Sequence, residues 1–133
     1  MNGWLVDTNI LLDIIGADAR FGDRSRTVLE EQSESSVLVI NPIVYAEVGA
    51  LIKSREELDE LLPLGLFRRD ALPYAAAFLA GQAFARYRRQ GGNKKRMLAD
   101  FLIGAHAAVA DLGLITRDQG YGRYFDIPIL DPS

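Results

Sequence analysis

Short apolar runs alternate along this chain with segments of helical periodicity. Trp4-Leu5-Val6 is an apolar triplet ended by Asp7-Thr8-Asn9, which reads as a strand running into a helix cap. Ile10 to Ile15 follows as a short helix stopped near Gly16. Asp23 to Gln32 reads as a second helix, with Val28 and Leu29 facing inward. After a serine-rich turn, Val37-Leu38-Val39-Ile40 is a continuous apolar run, as expected of a strand buried on both faces. Asn41-Pro42 starts a helix with proline at its first position, running to about Ile52, and Ser54 caps another through Leu62. Leu66 to Leu72 is read as a short strand and Pro73 to Gln90 as a long helix ended by Gly91-Gly92. Met97 to Leu112 is a further helix, ended by Gly113. Leu114 to Thr116 and Ile127 to Leu130 are the last strands. This alternation implies a parallel sheet with helices on both faces. Ligands of such sheets bind beyond the carboxyl ends of the strands, where strand order reverses. Asp7 and Asp118 both fall just past such ends.

Length and composition narrow the picture. A chain of 133 residues, 49% hydrophobic and 25% charged, reads as one soluble domain over 1–133. The lack of cysteine excludes disulfides, thiolate zinc sites and cysteine nucleophiles, and fits a reducing cytoplasm. Asp7, Asn9 and Asp13 interrupt the apolar N-terminal stretch and no long uncharged segment occurs. The expectation is a cytoplasmic protein with neither signal peptide nor membrane anchor.

Four carboxylates stand where the pattern predicts interior: Asp7, Glu47, Asp100 and Asp118. Glu47 shares a helical face with Ile43, Ala50 and Leu51, and from Met97 to Ala110 the only polar side chains are Asp100 and His106. Buried singly, each would be a satisfied structural residue as readily as a ligand. Four unpaired together would be costly and mutually repulsive, so convergence around a cation is the stronger reading. Carboxylates are the hard oxygen donors that Mg2+ and Mn2+ prefer, one or two ions being compatible with the set. Such a site points to phosphodiester hydrolysis, with a metal-activated water as nucleophile because no side chain stands out as a base. Thr8, Asn9 and Thr116 flank the acids and are placed to hydrogen-bond ligands or waters; Asn9 is equally suited to capping a helix. His106, six residues after Asp100, should point away from it and is not assigned to catalysis.

Net charge is −3, but the charge is segregated. No acid occurs between Asp70 and Asp100, an interval that holds Arg86, Arg88, Arg89, Lys94, Lys95 and Arg96. With Arg117, these are the candidate contacts to a phosphodiester backbone, RNA in the resemblance given below, although a charge run is often only a solvated helix end. Tyr121 and Tyr124 would stack on a base or, more safely, pack the last loop. Ala75, Phe78, Leu79, Gln82 and Phe84 supply more apolar surface than one core face of their helix requires, and suit a dimer contact.

Val6-Asp7-Thr8-Asn9, Glu47, Asp100-Phe101-Leu102-Ile103-Gly104-Ala105 and Thr116-Arg117-Asp118 followed by Tyr121 and Phe125 resemble the PIN-domain ribonucleases. The length resembles the VapC-type toxins of toxin–antitoxin pairs. The resemblance implies a three-layer α/β/α sandwich on about five parallel strands. It also implies a Mg2+ or Mn2+ site formed by Asp7, Glu47, Asp100 and Asp118, and endonucleolytic cleavage of RNA. A homodimer, and inhibition by a cognate antitoxin that masks the acidic groove, are implied as well. The segment from Lys53 to Arg96 matches nothing specific. The rival readings are a housekeeping RNA-processing nuclease, a non-catalytic partner-binding domain, and a phosphatase using Asp7 as nucleophile. The last would want a second acid near Asp7 and a late lysine, neither of which is present.

Overall fold

The computed structural model describes residues 1–92 and 96–133. Its elements are β1 (Trp4–Val6), α1 (Thr8–Ile15), α2 (Gly22–Ser35), β2 (Leu38–Ile40), α3 (Pro42–Gly49), α4 (Arg55–Leu61) and β3 (Phe67–Arg69). They continue as α5 (Tyr74–Arg89), α6 (Leu98–Val109), β4 (Gly113–Ile115), a 3-10 turn (Tyr121–Arg123) and β5 (Ile129–Leu130). The five strands form one parallel sheet in the order β3-β2-β1-β4-β5.

That order follows from the chain's path. From β1 it steps to β2 and then β3; after α5 and α6 it returns to the opposite side of β1 as β4. Right-handed crossovers in two directions place the two groups of helices on opposite faces. The result is the three-layer architecture, with strand order reversing between β1 and β4. Leu5, Val6, Leu38, Val39, Ile40, Leu114 and Ile115 are all buried, as their unbroken apolar runs require.

Most boundaries fall where local signals put them. Asn41 caps α3 by accepting from the Val44 N–H, and Ser54 caps α4 by accepting from the Glu57 N–H. Two expectations are corrected. The helix from Pro42 ends at Gly49 rather than Ile52. Gly113 does not terminate a helix: α6 stops at Val109 and Gly113 begins β4. Glycine is required there because a Cβ would collide with the Trp4 ring.

An aromatic cluster fixes α5 against α6 and the last loop. The Phe101 ring lies 5.0 Å from Tyr124, 5.4 Å from Phe84 and 5.5 Å from Tyr87 between centroids. Such pairs contribute about 0.5–1.5 kcal/mol each beyond their burial. Tyr124 is therefore a packing residue. Through this cluster the basic end of α5 is anchored beside the start of α6.

Candidate active site

Asp7 leaves β1 at the reversal point and caps α1, its Oδ1 accepting from the Thr8 N–H at 2.8 Å. Across the crevice, the first residue past β4 completes the contact: the Thr116 hydroxyl donates to Asp7 Oδ2 at 2.7 Å. Asn9 does not cap the helix. Its amide donates to Asp7 Oδ2 at 3.3 Å and to Thr116 Oγ1 at 3.2 Å, and its carbonyl oxygen accepts from the Arg117 N–H at 3.3 Å. Only 5% of Asp7 is exposed. Burial pushes its carboxyl up to about 6, against the opposing pull of the Thr116 and Thr8 hydrogen bonds, and the charge of Asp100 adds to the rise.

The other three acids are half-buried rather than interior, which corrects the expectation for them, and each has a partner. Glu47 on α3 accepts from the Thr8 hydroxyl at 2.6 Å, so Thr8 links it to Asp7. Asp100, in the first turn of α6, accepts from the Met97 N–H at 3.1 Å. Asp118 follows β4 and receives both terminal nitrogens of Arg96, at 2.8 and 2.5 Å, together with the Gly120 N–H at 2.8 Å. Burial alone would raise its pKa; the Arg96 and Gly120 contacts outweigh that and hold it below the ordinary carboxylate range.

Tyr121 joins three of these acids. It is 2% exposed, and its hydroxyl is one of two buried side-chain polar atoms among the described residues without a partner. Burial and the charges of Asp7, Asp100 and Asp118 all raise its pKa, so the phenol stays protonated. It lies close to Asp7 without achieving good hydrogen-bond geometry. An unpartnered donor and acceptor facing three carboxylates suits a water or a hydrated cation. As placed, however, no three His, Cys, Asp or Glu side chains among the described residues are close enough to hold a metal ion. The donors fit Mg2+ or Mn2+ in kind, and Asp118 is engaged by Arg96 instead.

The other candidates separate. His106 is buried, with Nδ1 3.0 Å from the Asn41 amide nitrogen, and burial lowers its pKa. Because Asn41 Oδ1 accepts from Val44, its NH2 faces the ring, and His106 Nδ1 is the acceptor of a neutral imidazole. Arg86, Arg88 and Arg89 are exposed in the last turn of α5, where the helix dipole also favours cations. Lys94 and Lys95 lie outside the described residues. Arg117 is committed elsewhere: it pairs with Asp13 at 2.7 and 2.8 Å and lies 4.0 Å from the Phe21 ring centroid. Asp13 itself was not singled out by sequence reasoning. Its position three residues after Ile10, on the inward face of α1, was the available signal.

The PIN domain family model matches residues 4–125. The chain belongs to the PIN domain family. Among curated proteins none matches it. Several solved structures share its fold at low identity. VapBC2 from Rickettsia felis, bound to a DNA fragment from their promoter, matches with a TM-score of 0.76 and 21% identity, over 96% of this chain and 97% of that one. DNA-bound VapBC from Salmonella typhimurium matches with a TM-score of 0.75 and 20% identity, over 100% of each chain. VapC20 of Mycobacterium tuberculosis, a sarcin–ricin loop cleaving toxin, matches with a TM-score of 0.65 and 14% identity, over 90% and 93%. The chain thus shares its fold with these VapBC and VapC20 structures. No helix among the described residues is long and apolar enough to cross a membrane.

Proposed function

We propose that this PIN-domain chain is a Mg2+- or Mn2+-dependent endoribonuclease, acting in the cytoplasm as the toxin of a toxin–antitoxin pair. The observation that carries the reading is the buried, proton-avid Asp7 at the strand-order reversal, with the unpartnered Tyr121 hydroxyl beside it. A carboxylate that the fold holds at such cost is explained by a cation that uses it. Asp7, Asp100 and Asp118 are the ligands in this reading. Glu47 completes the set through Thr8, and Asn9 and Thr116 orient Asp7. What the metal supplies when bound is activation of a water and stabilisation of charge on the phosphate oxygens.

Arg86, Arg88 and Arg89 give the RNA backbone a basic approach, because the aromatic cluster holds the end of α5 beside the acids. An antitoxin and a second copy of the chain are the proposed protein partners. The α5 face suits the second copy, since Tyr74 is 94% and Phe78 72% exposed. A sedimentation profile of one chain per particle at micromolar concentration would remove the dimer.

Purified protein is expected to cut RNA internally with Mg2+ or Mn2+ and to stop in excess chelator; undiminished cleavage after chelation excludes the metal mechanism. In the same assay run across salt concentrations, Arg88→Gln with Arg89→Gln should flatten the dependence of RNA affinity on log salt by about 2. An unchanged slope removes the basic approach surface.

A further inference from the structure

Arg96 is turned inward onto Asp118 and Tyr121 rather than spread over the surface. Both terminal nitrogens are on Asp118, and the guanidinium lies 5.6 Å from the Tyr121 ring centroid. Asp118 is the leading cause of its raised pKa, and Asp100 also contributes. Its backbone N–H donates to the Tyr87 hydroxyl at 3.3 Å, which ties Arg96 itself to α5. The seat is specific. A Cβ on Gly120 would overlap Arg96 Nη2 and crowd its Cζ. Gly120 has φ −81° and ψ −17°, a backbone that any residue adopts, so what a side chain there would disturb is the guanidinium, which would have to move, and not the turn.

We propose that Arg96 is a resident counter-cation of the acidic site, which a divalent ion must displace from Asp118 in order to bind. This rests on the reading of Asp118 as a metal ligand. The metal-free chain then folds with Asp118 neutralised, and loading the site releases a guanidinium at the mouth of that site. The same contact turns Asp118 to the arginine, and among the described residues no three acids are assembled to hold an ion. A bidentate arginine–carboxylate pair is a strong local competitor, as its hydrogen bonds are charge-assisted.

Mn2+ titration of RNA-free protein by calorimetry tests the exchange. Arg96→Gln should bind Mn2+ about tenfold more tightly than wild type, a change on the order of 1.4 kcal/mol. Gly120→Ala should tighten binding as well, because it evicts the guanidinium while keeping every charge. Asp118→Asn should abolish the gain from Arg96→Gln. Equal affinity of wild type and Arg96→Gln overturns the proposal while leaving the metal site standing. So does tightening in Arg96→Gln with wild-type affinity in Gly120→Ala, since that pattern is a change of net charge alone. If none of the four proteins binds Mn2+, the metal reading itself fails and the proposal falls with it.

Discussion

Asp7→Asn is expected to reduce RNA cleavage about a hundred- to a thousandfold, on the scale of other single electrostatic groups in active sites, while raising the melting temperature at pH 7.5. The two effects share a cause. Burial raises the Asp7 carboxyl from 3.8 to about 6, so the folded chain holds a proton that the unfolded chain releases. Between about pH 4 and 6 the native state binds more protons, so stability falls as pH rises through that window and the deficit persists above it. A tenfold change in proton affinity is worth about 1.4 kcal/mol, which gives a cost of roughly 3 kcal/mol at neutral pH without metal. Asparagine removes the charge and keeps an acceptor for the Thr8 N–H. It leaves the Thr116 and Asn9 donors worse matched, at about 1 kcal/mol for a typical hydrogen bond. The net gain is about 1–2 kcal/mol, a rise of several degrees for a domain of this size. At pH 4.5 wild-type Asp7 is protonated in the fold, and the gap between the two proteins should close. Wild-type cleavage rates in the variant would sink the site assignment. A melting difference that ignores pH would sink the electrostatic account while leaving the assignment open to the cleavage result.

Loss of Arg117 should show in stability rather than in RNA affinity. Arg117→Ala leaves Asp13, 5% exposed, with the Ser25 hydroxyl at 3.0 Å but without its cation. Uncompensated buried charges cost about 3–5 kcal/mol. The retained Ser25 bond and the partial exposure of Arg117 favour the lower end, a fall in melting temperature on the order of 10 °C. RNA affinity per folded molecule should match wild type. Weakened RNA binding with an unchanged melting curve would return Arg117 to the RNA surface, where its sequence position beside Asp118 had suggested it belonged.

These two residues mark how far the sequence can be read. The strand-to-helix step at Asp7, the Asn41 and Ser54 caps and the buried strand β2 were all legible, because caps and periodicity are decided within a turn or two of chain. The alternation of strands and helices dictated a parallel sheet, with Asp7 after β1 and Asp118 after β4 at its carboxyl edge. What the sequence could not supply was the partner of each charge. Asp13 meets Arg117 from 104 residues away, and Asp118 meets Arg96 from 22 residues away. Arg96 and Arg117 read as candidates for RNA because a cation's nearest anion is chosen by packing, not by sequence neighbourhood. The same holds for Gly113, whose need for glycine comes from the Trp4 ring. It holds also for the depth of each acid: only Asp7 lies between two central strands, whereas Glu47, Asp100 and Asp118 stand where helices and loops meet solvent. Local chemistry determined where the carboxylates are; long-range packing decided which of them is costly and what each of the others is bonded to.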